Sequence, residues 1–274
     1  LSGLVGCVIA QRGTGKSFAS LLPCLRQYQF SKEHHPPIII LVPTRELVAQ
    51  VVESVKQLTT YMNLMVVGVY GGVNLKTQLA EIQQGADVLV ATPGRLVDFL
   101  SSGALKTKAL KKLVIDEVDE MLNLGFRAQL SVILELLPPR RMNLLFSATL
   151  TDDVEQLIDT YFANPVRVEA APAGTPLENI EQGVYHVPNF NTKINLLNFL
   201  LGHEMAMTRV LVFAATKQLA DELFELLESD CPGKIGVIHS NKSQNYRFNS
   251  VQQFQDGTYR VLIATDIIAR GIDV

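Results

Sequence analysis

Two short stretches hold the residues best suited to do chemistry. The first, Ala10-Gln11-Arg12-Gly13-Thr14-Gly15-Lys16-Ser17, follows an apolar run and leads into a helical pattern. Glycines in such a loop let backbone N–H groups turn inward around phosphate oxygens, and the helix N-terminus adds a favourable dipole. Lys16 would neutralise β- and γ-phosphate charge, and Ser17 would offer a hydroxyl to Mg²⁺. A glycine-rich turn with a surface lysine is the competing reading, and the strand–loop–helix context weighs against it. The second stretch, Asp116-Glu117-Val118-Asp119, closes the apolar run 113–115. Asp116 there can hold Mg²⁺ partly through its water shell, and Glu117 can orient and deprotonate an attacking water. Alone it reads equally well as a solvated acidic turn; with the loop it reads as an ATP site.

The elements that must position these residues follow from periodicity. Residues 5–10, 38–42, 65–69, 88–91, 113–115, 144–146 and 166–168 are short apolar runs without in/out alternation, the pattern of a parallel sheet covered on both faces. Helical patterns at 45–61, 75–84, 95–101 and 152–162 alternate with them, several opened by Thr, Pro or Asp. Such alternation predicts a doubly wound parallel α/β sheet. Pro172, Gly174 and Pro176 break all periodicity, so 169–178 is expected to be a short linker. A second series follows, with helices at 195–203, 217–229 and around 246–254 and strands at 210–213, 235–239 and 261–264. The expected organisation is a first lobe over 1–168, the linker, and a second lobe over 179–274 that should continue further.

Bulk properties bound the function without naming it. The 274 residues suit two ordinary domains, and 47% hydrophobic with 19% charged residues is globular composition. No run of 18 apolar residues exists to span a membrane. Net charge is −3, from 24 basic and 27 acidic residues, so any nucleic-acid contact must come from a local groove. The three cysteines are scattered without metal-ligand spacing, which fits a reducing cytoplasm.

The ordered motifs resemble those of the DEAD-box RNA helicases of helicase superfamily two over nearly the whole chain. Residues 10–17 match their first motif, which itself begins with Ala, and residues 116–119 match motif II. Pro43-Thr44-Arg45-Glu46-Leu47, Gly71-Gly72, Thr92-Pro93-Gly94-Arg95 and Ser147-Ala148-Thr149 match motif Ia, the double glycine, motif Ib and motif III. Residues 210–213, Gln244-Asn245-Tyr246-Arg247, Ala264-Thr265-Asp266 and Ala269-Arg270-Gly271-Ile272-Asp273 resemble motif IV, the QxxR element and motif V. Each is weak alone; in this order they are specific.

The resemblance implies two RecA-like lobes joined by the linker, and an ATP-dependent RNA helicase that separates short duplexes by cleft closure. It implies Lys16, Asp116 and Glu117 as catalytic, residues 10–17 and Asp273 as ATP-binding, and Ser17 with Asp116 as Mg²⁺ ligands. Ser147 and Thr149 would bond Asp119 and couple nucleotide state to closure. Arg45, Gly72, Thr92, Arg95, Arg247 and Thr265 would hold RNA by its sugar-phosphate backbone, without base readout. The protein would act as a monomer. Arg12 stands where the family usually has Thr; it could reach phosphate, stack elsewhere or mark an altered ATPase. Val118 replaces the usual Ala, a change of little consequence on an apolar face. The stretch holds neither the family's upstream glutamine segment nor its final arginine-rich motif, so by itself it is expected to hydrolyse ATP poorly. A superfamily-two DNA helicase and an ATP-switched RNA clamp with weak hydrolysis stand as alternatives. His239, at a strand end, is expected to be structural.

Overall fold

The computed structural model describes residues 5–10, 14–30, 35–170, 180–203, 207–229 and 232–265. It divides into two compact units, residues 1–176 and 177–274, and each is described by itself. The linker expected at 169–178 lies almost wholly outside the described residues.

The first unit is built on seven strands: β1 (Val5–Ile9), β2 (Ile38–Leu41), β3 (Val66–Val69), β4 (Val88–Ala91), β5 (Lys112–Ile115), β6 (Met142–Ser147) and β7 (Val166–Glu169). All pairs are parallel, in the order β3-β4-β2-β5-β6-β1-β7. Seven helices connect them: α1 (Lys16–Arg26), α2 (Arg45–Leu58), α3 (Leu75–Gln83), α4 (Pro93–Ser101), α5 (Val118–Asn123), α6 (Arg127–Leu136) and α7 (Asp152–Tyr161). Because successive strand residues face opposite sides, each central strand feeds two cores. Ile39, Leu89, Leu113 and Ile115 pack with α3 to α7, whereas Ile38, Ile40, Val88 and Val114 pack with α1 and α2. Each such side chain contributes roughly 1.5–3 kcal/mol by leaving water. The doubly wound expectation is met.

Helix starts are capped as the sequence predicts. Thr44 accepts from the Leu47 N–H at 3.3 Å, and Thr151 from the Val154 N–H at 3.4 Å. Along α2, Val48, Val51 and Val55 form the buried stripe. Two results differ from expectation. Residues 166–168 were expected to be covered on both faces, yet β7 is an edge strand with all four residues exposed. Among the described residues it pairs only with β1, and its Arg167 bridges outward to Glu155 at 3.2 Å. Helices α5 and α6 were not anticipated, although Leu130, Ile133, Leu134 and Leu137 have helical spacing and are buried.

The second unit holds α8 (Phe190–His203), β8 (Val210–Ala214), α9 (Lys217–Glu228), β9 (Ile235–Ile238), α10 (Gln244–Gln255) and β10 (Val261–Thr265). Its three strands are parallel in the order β8-β10-β9. Helices α8 and α9 cover one face and α10 the other. Among the described residues no helix is long and apolar enough to cross a membrane.

Candidate functional site

In an open parallel sheet, loops at the carboxyl ends of the strands converge on the ligand crevice. Here β1, β6 and β5 are adjacent, so the loops after them lie side by side. The Ala10 N–H donates to the Ser147 carbonyl at 3.0 Å, fastening the start of the glycine loop to the end of β6. Gln11, Arg12 and Gly13 lie outside the described residues, as does the side chain of Ser17. Gly15 takes φ 84° and ψ 20°, left-handed backbone that glycine adopts without strain, and it opens α1 with no side-chain cap. Thr14 is exposed. Lys16, the first residue of α1, is 9% exposed, and its Nζ has no hydrogen-bond partner among the described residues. No acidic residue stands in the first turn of α1. A buried ammonium without a partner is costly, and the unsatisfied N–H groups of a helix start favour negative charge. This place fits a phosphate.

At the end of β5, the Asp116 N–H donates to the Leu41 carbonyl at 3.0 Å, and its Oδ1 accepts from the Glu117 N–H at 2.9 Å. Glu117 sits at φ 54°, ψ 52°. Left-handed backbone in a residue with a β-carbon costs of order 1–3 kcal/mol and persists where surroundings over-determine it. The bend starts α5, burying Val118 completely in the core as its apolar character predicts. One residue on, Asp119 Oδ2 accepts from both the Thr149 N–H at 3.0 Å and the Thr149 Oγ1 at 2.8 Å. Ser147, expected to bond Asp119, instead donates its hydroxyl to the Thr149 carbonyl at 2.8 Å. Among the described residues it is linked to Asp119 through Thr149.

A second gathering occurs at the ends of β2, β4 and β3, which are also neighbours. Arg45 begins α2, Gly72 follows β3, and Thr92 begins α4 with no side-chain capping bond. The Arg45 guanidinium lies over Gly72 so closely that a Cβ there would sit 2.4–2.7 Å from its atoms; Gly72 also has φ +78°. The positive φ is what favours glycine here, since the guanidinium is the far end of a flexible side chain and could shift. Arg95 is turned inward, 6% exposed. It bonds Gln78, donates to the Val73 carbonyl at 2.9 Å, meets Asp98 at 3.4 Å and lies 5.8 Å from the centre of the Phe99 ring. It therefore braces the loop after β3 against α3 and α4.

In the second unit, Thr265 ends β10, and Arg247 on α10 is 8% exposed and bonded to Gln244. Asp273 lies outside the described residues. His239 is 2% exposed; its Nδ1 accepts from the Asn241 N–H at 3.3 Å, so Nε2 carries the proton donated to Asp221 at 3.0 Å. That bond first, and Lys242 at 2.9 Å second, hold the Asp221 carboxyl below its ordinary range. His239 thus ties β9 to α9. Sequence reasoning found His239 but not Asp221 or Lys242, since nothing in their spacing signals a long-range bond.

Residues 2–157 match the model of the DEAD/DEAH box helicases, and residues 192–274 that of the helicase conserved C-terminal domain. The chain is 38% identical over 267 residues to the ATP-dependent RNA helicase DbpA of Bacillus subtilis, covering 97% of the chain and 55% of that protein. It is 38% identical to the DEAD-box ATP-dependent RNA helicase 24 of Oryza sativa subsp. japonica, covering 100% of the chain and 36% of that relative. The chain thus spans between about a third and a little over half of these curated relatives. Among solved structures, S. cerevisiae Dbp5 bound to RNA and ADP BeF3 superposes with a TM-score of 0.87 at 28% identity, over 98% of this chain and 68% of that one. A DEAD box protein from Methanococcus jannaschii gives 0.58 at 34% identity, over 98% and 72%.

Proposed function

The chain belongs to the DEAD/DEAH box helicase family, and from that premise we propose that it binds and hydrolyses ATP to separate short RNA duplexes. The observation that carries the reading is Lys16, a buried cation whose Nζ has no hydrogen-bond partner among the described residues, at a helix start without a side-chain cap and two strands from Asp116 and Glu117. Residues 10–17 would wrap the phosphates, with Lys16 against their charge. Ser17 and Asp116 would hold Mg²⁺, which supplies charge neutralisation at the phosphates when bound. Glu117 would orient the attacking water and take its proton. Asp273 is assigned to the ribose by family resemblance alone.

Arg45, Gly72 and Thr92 would meet RNA sugar and phosphate groups, joined by Thr265 and Arg247 of the second unit. Arg95 contributes as a positioning residue, because its guanidinium is already committed within the protein. Thr149 on Asp119 gives a mechanical link, since anything that moves the acidic turn moves the loop after β6. ATP and RNA bound together would favour one engagement of the two units by differential affinity. The protein is read as a monomer working in a reducing cytoplasm, a setting that suits the buried thiols Cys7 and Cys24.

The test is RNA-stimulated ATP turnover by the full-length protein containing this chain, with single-stranded DNA of equal length as the control. Stimulation by RNA alone, reduced about 100-fold or more in Glu117→Gln, is the expected result. Equal stimulation by DNA would favour a DNA helicase. ATP-dependent RNA binding without turnover in the wild type would favour an RNA clamp.

A further inference from the structure

The amino ends of the first unit's strands carry a basic cleft that the proposed reaction does not use. It has a volume of about 600 Å³ and is lined by Arg26, Tyr28, Lys111, Lys112, Arg140 and Arg141, with glutamine and methionine between them and no carboxylate among the described lining residues. These residues end α1 and precede β5 and β6, so the cleft lies across the sheet from the loops that hold Lys16 and Glu117. The six residues of β6 at about 3.3 Å each put roughly 20 Å between the two ends.

The cations fall into two groups. Lys112 and Arg141 are buried and spent on carbonyls: Lys112 Nζ donates to Cys24 at 2.7 Å, and Arg141 to Leu137 at 3.1 Å and Pro138 at 2.6 Å. They form a fixed positive floor. Arg26, Lys111 and Arg140 are exposed above it and have no ionic partner among the described residues. Lys111 adds to the burial that pulls the Lys112 ammonium below its ordinary range. Positive charge thus accumulates among the lining residues, and an incoming polyanion would relieve it. Beside it stands an aromatic platform. Tyr28 is held by its hydroxyl bond to Asp87, and Phe30, 72% exposed, packs edge-on against it with ring centres 6.2 Å apart.

We propose that this cleft is a second contact for single-stranded RNA, taking the flank of a strand whose middle occupies the loops at the opposite end of the sheet. The proposal rests on the RNA reading given above. Three unpaired cations suit backbone phosphates, and an exposed ring beside them suits a base that stacks without sequence readout. An acidic peptide would use the cations and leave Phe30 idle. Only a strand long enough to pass around the unit reaches both places, so the site makes affinity depend on RNA length.

The experiment is fluorescence anisotropy with labelled oligouridylates of about 8 and about 40 nucleotides, the shorter matching a single site. Wild type is compared with Arg26→Ala/Lys111→Ala/Arg140→Ala and with Phe30→Ala, each checked for unchanged thermal unfolding. The expected result is about tenfold weaker binding of the long RNA by the triple variant, with a salt slope smaller by about two, since each phosphate contact on a single strand contributes about 0.7. Phe30→Ala should weaken the long RNA only. Short-RNA affinity and the turnover it stimulates should not change. Equal wild-type affinity for both lengths, or an unaltered triple variant, overturns the second site and leaves the proposed function standing. A glutamate-rich peptide that binds wild type but not the triple variant, with no length effect for RNA, reassigns the cleft to an acidic protein and also overturns it. Failure of wild type to bind either RNA overturns the RNA reading itself.

Discussion

Helix α1 has a buried lysine at each end, and the two are held in opposite ways. Lys112, reaching in from the start of β5, donates to the Cys24 carbonyl at 2.7 Å in the last turn of α1. A cation at a helix C-terminus meets free carbonyls and the negative end of the dipole. Burial still pulls its ammonium below the ordinary lysine range, while the neighbouring Cys24 thiol is pushed up to about 11, mainly by burial. Lys16 sits at the other end, where the dipole is positive, with no acidic side chain in the turn and no partner for Nζ among the described residues. One lysine completes the fold. The other has no hydrogen-bond partner among the described residues, and the positive end of the dipole beside it suits an anion.

The largest effect should come from removing Lys16. Lys16→Ala is expected to cut ATP turnover by about 100-fold or more, as loss of a positioned charge on a developing anion does. Its chemical denaturation midpoint should stay level or rise. Lys112→Ala should do the reverse: turnover at saturating ATP preserved, and stability lowered by about 1.5–3 kcal/mol, because bonds from a charged donor to buried carbonyls are lost. If the two variants behave alike, the distinction between them fails.

A smaller effect tests the acidic turn. Thr149→Val removes one of two bonds to Asp119 and keeps the shape, so a loss of about 1–1.5 kcal/mol is expected. Duplex separation per ATP hydrolysed should fall more than hydrolysis itself, measured by strand-displacement and phosphate-release assays on the same samples. A purely structural bond would lower both in proportion.

Smallest is the effect on stability of the strain at Glu117. Glu117→Gly frees the left-handed backbone at φ 54° and should raise stability by about 1 kcal/mol in urea unfolding while abolishing turnover. A destabilised variant would mean that the carboxylate itself, not the backbone, holds the turn.

Much of this contrast could be read in advance on one side only. Lys16 announced itself because the glycine loop lies next to it in sequence, between a strand and a helix. Lys112 did not, since its carbonyl partner lies 88 residues away and nothing at position 112 marks a buried charge. The same physics separates other cases. Helix α2 was legible from Thr44 and the valine stripe, whereas the six-residue α5 starts from the strained Glu117 and shows no periodicity. Central strands were read correctly, but Val166 and Val168 looked equally buried and lie on an edge, because sheet order is set by tertiary packing. Arg45 and Arg95 had identical standing as expected RNA contacts until the fold laid one over Gly72 and turned the other into a brace.

If Lys16 waits for phosphate, nucleotide binding and stability must be linked through it. Thermal unfolding of the full-length protein containing this chain would be followed as ATP with Mg²⁺ is raised to 100 times its dissociation constant. A stabilisation of about 2.7 kcal/mol is expected in wild type and in Lys112→Ala, and little or none in Lys16→Ala at the same concentrations. A full shift in Lys16→Ala would contradict that role for Lys16.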